Sequence, residues 1–189
     1  MGAEPLVLRY RWIDSEQAAV MHRLMMLGFA EYRRYPLPSS ALTETEQDVR
    51  RALALGAGVL VEAQSSPASD SAESWMLVGG VRLRCPEAPR GLVIAEALAA
   101  KRQGEAGASL SFERMFVLPD FQGRGIGAAL VEHLVEISES LGCEQLKISV
   151  RSQQPDNRPY YRRLGFRVTH YSERYEVPDM VTYMERPLA

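Results

Sequence analysis

The run Val117-Leu-Pro-Asp-Phe-Gln-Gly-Arg-Gly-Ile-Gly127 limits what this chain can become more than any other stretch. It joins an apolar strand pattern, Glu113 to Val117, to the helical stripe Ile126, Leu130, Leu134, Ile137 and Leu141, spaced four, four, three and four residues apart. The junction is therefore strand, turn, helix. Its glycines let the chain turn at positive φ and let a ligand approach backbone where a Cβ would collide. A helix start also bares amide N–H groups and carries the positive end of the helix dipole. Gln122, Gly123, Arg124, Gly125, Ile126, Gly127 and Ala128 thus form a candidate cradle for phosphate oxygens.

Which phosphorylated molecule fits is narrowed by what surrounds the loop. Gly123-x-Gly125-x-x-Ala128 loosely matches a dinucleotide fingerprint, yet Pro119, Asp120, Phe121 and Gln122 separate its glycines from the strand. The next strand pattern, Glu144 to Val150, ends in Arg151 and Ser152 instead of the carboxylate such a site uses for ribose. No Gly-Lys-Ser/Thr follows, so the Walker pattern fails, and the dinucleotide match is only partial.

A second block, Tyr161-Arg-Arg-Leu-Gly-Phe166, lies one helix and one strand downstream. Together the V-x-P-x-x-Q-x-x-G-x-G run and this Y-x-x-x-G-F block resemble the GNAT superfamily of acetyl-CoA-dependent N-acetyltransferases. The specific match covers residues 113–166. The resemblance implies an α/β fold, a mixed central sheet flanked by helices, as a single GNAT domain over residues 1–189. It implies acetyl-CoA as co-substrate and an amine acceptor, either a small molecule or a peptide.

The rest of the chain has the element order that such a fold requires. Leu6 to Trp12 alternates weakly as a strand, and Asp14 with Gln17 marks a helix start. Pro36 and Pro38 interrupt a loop over Tyr35–Ser40. Thr43 and Glu46 form a capping-box pattern that opens a second helix ending near Gly56. Strands follow over Val59–Glu62 and Trp75–Arg84, with a hairpin tip at Gln64–Ser74 and a short helix over Leu92–Arg102. After the glycine-rich helix come the strand Glu144–Val150, a helix around Pro159–Leu164, and strands Phe166–Tyr171 and Val181–Arg186.

Acetyl transfer needs a neutral amine and a stabilised leaving thiolate. The resemblance assigns the first task to Glu113, nine residues before Gln122, as general base; the alternative is a structural pair with Arg114 or another cation. If the strand alternates regularly, Glu113, Met115 and Val117 share a face, and a bulge would alter which side chains converge. Tyr161 is the matching general acid. Its alternative is a core aromatic beside Phe166, with Tyr160 facing the cleft. Backbone groups of Phe116 and Val117 would pair with the pantetheine arm, and Arg124 would either contact phosphate or face solvent. Many family members place an asparagine seven residues before the tyrosine; here Gln154 stands there and Asn157 stands four before, so either amide takes the contact or Asn157 caps the helix. By the same resemblance Tyr35–Ser40, Tyr171, Tyr175 and Tyr183 map onto the acceptor pocket; the alternative is that these tyrosines are ordinary hairpin packing, with His170 nearby as a structural histidine. No metal site is expected.

Composition sets the remaining bounds. A net charge of −2 and a pI near 6.0 give no general attraction to nucleic acid or anionic membrane. No apolar run reaches membrane-spanning length, and Met1-Gly-Ala-Glu-Pro lacks a signal-peptide pattern, so a cytoplasmic protein is expected. Cys85 and Cys143 lack metal-ligand spacing. Two rival functions remain: a relative of the same fold using another acyl-CoA or sensing CoA without turnover, and a dinucleotide-binding module. A monomer and a homodimer are both open.

Overall fold

The computed structural model describes residues 6–36, 38–64, 74–85, 109–151, 155–171 and 181–189. Most of the hairpin tip, the Leu92–Arg102 helix, Gln154 and Tyr175 lie outside them. Among the described residues seven strands, β1 (Val7–Ile13), β2 (Ala57–Gln64), β3 (Met76–Arg84), β4 (Ser109–Val117), β5 (Gln145–Arg151), β6 (Arg167–Tyr171) and β7 (Val181–Pro187), pair in the order β1-β2-β3-β4-β5-β7-β6. Two compact units, Met1–Leu83 with Arg114–Leu130 and Arg84–Glu113 with Val131–Ala189, divide strand β4 (Ser109–Val117) and helix α3 (Ile126–Ser140) between them.

In the first unit, β1 (Val7–Ile13), β2 (Ala57–Gln64) and β3 (Met76–Arg84) form an antiparallel meander. Helices α1 (Ala18–Gly28) and α2 (Glu46–Ala54) pack Met21, Leu24, Met25, Val49 and Leu53 around Leu60 and Phe116. Each large apolar side chain so buried contributes roughly 1.5–3 kcal/mol. The one acid on this mostly buried β2, Glu62, is matched by Arg9 at 2.7 Å from the opposite strand. Gly79 on β3 sits where a Cβ would fall 2.7 Å from the Phe116 carbonyl oxygen, so a side chain there would push β4 away.

Two capping boxes are present, one on the 3-10 turn Ser15–Gln17 that leads into α1 and one on α2, and the second is displaced from its expected place. Asp14 accepts from the Glu16 amide at 2.7 Å while Gln17 accepts from the Asp14 amide at 3.0 Å, as its spacing predicts. Thr43, however, does not open α2. Its hydroxyl donates to the Ser40 carbonyl at 3.0 Å, closing a turn of 3-10 helix over Ser40–Thr43. The cap is Thr45 with Asp48, whose carboxylate accepts the Thr45 amide at 2.9 Å and hydroxyl at 2.6 Å. Those hydrogen bonds hold the Asp48 carboxyl below its ordinary pKa.

In the second unit, the first part of β4 pairs in parallel with β5 (Gln145–Arg151), from Ser109↔Gln145 to Phe112↔Ile148. Parallel neighbours need a crossover helix, and α3 supplies it. Its buried face runs through Ile126, Leu130, Leu134 and then Ser138, whose hydroxyl folds back to the Leu134 carbonyl at 2.6 Å; the expected Ile137 and Leu141 are only half-buried. Along β5, buried Leu146, Ile148 and Val150 alternate with less buried neighbours. Strand β7 (Val181–Pro187) lies between β5 and β6 (Arg167–Tyr171), antiparallel to both. Helix α4 (Arg158–Arg163) precedes β6. The order of described elements is that expected from the sequence, with most ends shifted by a residue or two.

Candidate active site

The glycine-rich turn of the first unit joins β4 to α3. Gly123 and Gly125 adopt φ of 75° and 80°, the left-handed region that disfavours a Cβ. Among the described residues, a Cβ built at either position would meet nothing within 4 Å. Packing therefore does not require these glycines; the turn does. The Ala129 amide donates to the Gly125 carbonyl at 3.0 Å, so the helix ladder starts there. The amides of Gly125, Ile126, Gly127 and Ala128 then have no acceptor within the helix. The first turn of α3 carries no acidic side chain to repel an anion.

Side chains fix this turn without filling it. Gln122 donates its amide Nε2 to the Val117 carbonyl at 3.0 Å, stapling the loop to the exit of β4. Arg124 lies over the Phe121 ring at 5.6 Å, and Ile126 is buried as the first core residue of the helix. Phe116 is buried too, its ring 6.4 Å from Phe29. These features fit a pyrophosphate group: amide donors, open space above the glycines, and no carboxylate in the helix's first turn.

Strand β4 does not alternate regularly. Arg114 has φ of 53°, the one non-glycine residue in the left-handed region among the described residues. Glu113, Arg114 and Met115 are all half-buried, so the expectation that Glu113, Met115 and Val117 share one face gives way to a local break. The Arg114 guanidinium pairs with Glu44 at 2.7 Å and donates to the Ser40 hydroxyl at 3.0 Å. Glu44 also holds Arg82, at 2.7 Å. No local pattern marks these partners, which lie 38 and 70 residues apart in sequence.

In the second unit, Tyr161 is 9% exposed and its ring meets Phe166 at 5.7 Å, Phe112 at 6.1 Å and Tyr160 at 5.1 Å. The ring is thus a core aromatic, as the packing alternative has it, and any chemistry would rest with its hydroxyl. Tyr160 is half-buried, and that burial pushes its phenol above the ordinary value. Asn157 occupies the N-cap position of α4, but its side chain makes no capping hydrogen bond; Asp156 caps instead, accepting from the Arg158 amide at 3.0 Å. The Arg158 guanidinium holds the Asp156 carboxyl below its usual range. His170 stacks on Tyr183 with centroids 4.2 Å apart, and Tyr171 is exposed. Among the described residues, no group of three or more His, Cys, Asp or Glu side chains is placed to hold a metal ion.

A family model described as "Acetyltransferase (GNAT) domain" matches residues 77–168. That span encloses the glycine turn, Glu113, Asn157 and Tyr161. Over that segment the chain matches the GNAT superfamily. A Trypanosoma brucei brucei glucosamine 6-phosphate N-acetyltransferase is 38% identical over 55 residues, 29% of this chain and 35% of that protein. The chain spans about a third of the length of the curated relatives it matches. The GNAT fold itself is shared throughout. A Thermoplasma acidophilum PaiA N-acetyltransferase solved with coenzyme A superposes with a TM-score of 0.61 at 14% identity, covering 96% of this chain and 99% of that one. Arabidopsis thaliana Naa50, solved with a CoA–peptide bisubstrate analogue, gives 0.61 at 13% identity over 95% of this chain and 97% of its own. No helix of this chain, among the described residues, is long and apolar enough to cross a membrane.

Proposed function

We propose that this chain is a single GNAT domain that transfers acetyl from acetyl-CoA to the primary amine of a small molecule or peptide, by direct attack in a ternary complex. The observation that carries the reading is the glycine turn, with two left-handed glycines, open space where their Cβ atoms would stand, and a carboxylate-free helix start. Amides from Gly125 to Ala128 would hold the pyrophosphate, with Arg124 beside them. Backbone groups of Phe116 and Val117 would align the pantetheine arm as an added strand, and Asn157 is free of capping duty to contact it.

Bound there, acetyl-CoA supplies a thioester acetyl group. A lysine-like amine has a pKa near ~10.4, so at neutral pH only a small fraction is nucleophilic; Glu113 would take its proton. The C–N bond forms as the C–S bond breaks, and Tyr161 would face the departing sulfur. A phenol near ~10 cannot give its proton downhill to a thiolate near ~8.5, so its hydroxyl acts chiefly by stabilising developing charge. No cysteine or serine is singled out near either motif as a covalent relay, which favours direct attack.

Acetyl-CoA should raise the melting temperature by mass action, about 2.7 kcal/mol of stabilisation at 100 times Kd, whereas NAD(H) and ATP should not. Gly125→Val should abolish that shift in a protein that still folds by circular dichroism, because a branched side chain would enter the open space and resist φ of 80°. Thiol release on an amine panel then separates transfer from sensing. A folded Gly125→Val protein with unchanged acetyl-CoA response would remove the phosphate loop from the site.

A further inference from the structure

The carboxylate of Glu44 stands between two guanidiniums. Its Oε1 accepts from Arg114 Nε at 2.7 Å and from Arg82 Nη2 at 3.2 Å, and its Oε2 accepts from Arg82 Nη1 at 2.7 Å. The Glu44 and Arg82 side chains are 15% and 5% exposed, so this is a largely buried cluster in which one carboxylate serves two guanidiniums. Glu44 is also tied through its carbonyl, 2.9 Å from His22 Nε2 on α1. It links α1, the segment preceding α2, β3 and β4 within the first unit.

What the cluster holds is the irregular point of β4. An arginine at φ of 53° is strained, and such residues persist where their surroundings over-determine them. The strain falls one residue past Glu113 and two before Phe116, in the stretch assigned above to proton removal and pantetheine alignment. Arg114 is anchored there by Glu44 and by the Ser40 hydroxyl.

We infer that Glu44 is a positioning residue: through Arg114 it keeps β4 in its left-handed break and so sets the direction of Glu113 and the backbone that follows. The kinetic part of this inference rests on the acetyl-transfer reading; the conformational part does not. A charge-neutral Glu44→Gln weakens the grip on Arg114, and β4 relaxes toward regular extension. Arg114→Gly does the opposite, because glycine takes the same φ without strain and needs no clamp.

The test is a double-mutant cycle with two readouts. In ligand-free protein, Glu44→Gln should speed amide hydrogen exchange in the peptide spanning 113–118, and adding Arg114→Gly should return it toward wild type. In turnover, Glu44→Gln should lower kcat by about tenfold with little change in the acetyl-CoA thermal shift, and the double variant should recover most of that loss. A purely structural contribution would move melting temperature in both backgrounds alike and leave kcat in place. Unchanged exchange and kcat in Glu44→Gln, or no recovery with Arg114→Gly, overturns the inference. If wild-type protein releases no thiol with any amine, the transfer reading fails, while the exchange cycle still decides the clamp.

Discussion

At Tyr161 the ring and the hydroxyl have separable duties. The ring fills space among Phe112, Tyr160 and Phe166, so Tyr161→Phe retains that packing and should cost stability no more than about 1 kcal/mol, the usual net worth of one hydrogen bond. If the hydroxyl steadies the departing sulfur, kcat should fall about 10- to 1,000-fold with acetyl-CoA affinity nearly unchanged. Tyr160→Phe should be much milder in steady-state kinetics. The reverse ranking would move the acid role to Tyr160, the less buried ring. Tyr161 could be singled out in the sequence because it stands at a fixed offset from Gly165 and Phe166 in a short run. Arg114 could not, since its backbone conformation is imposed by Glu44, a partner 70 residues away. Gln122 stood in a motif, yet only coordinates show its side chain clasping the Val117 carbonyl.

Elements were legible where one local signal spoke alone. Asp14 with Gln17 is such a case, and α3 after its glycine turn is another. The start of α2 failed because two overlapping patterns compete: Thr43 with Glu46, and Thr45 with Asp48. Both satisfy the capping-box spacing. Thr43 is drawn instead into the preceding 3-10 turn by the Ser40 carbonyl, which leaves Thr45 to meet the first free amides of the helix. Thr45→Ala should therefore destabilise by about 1 kcal/mol, and Thr43→Ala, an exposed change outside the helix, by well under half that. Equal losses on chemical denaturation would mean that both threonines cap α2. Strand order among β5, β7 and β6 was a different difficulty: the sequence shows three strands but not that the last inserts between the other two.

For the whole molecule, a net charge of −2 leaves the pH dependence of stability to particular groups. His133 on α3 is one. Burial holds its imidazole below the ordinary 6.5, and Glu136, at 3.7 Å, offsets that only in part. The unfolded chain keeps the ordinary value, so as pH falls through 6.5 the unfolded state takes up this proton before the folded state does. Stability contributed by neutral His133 is therefore complete above about pH 7 and declines as pH drops toward the lower folded pKa. The carboxyls of Asp48 and Asp156, both held low by hydrogen bonds, lose their contributions only in stronger acid, below their ordinary 3.8. The window between pH 7 and pH 5 thus lies above the range of both carboxyls and within that of His133. The urea midpoint should fall across it in wild type, and His133→Gln, which cannot take the proton, should flatten that part of the curve. A slope that survives His133→Gln unchanged would assign the loss to another group.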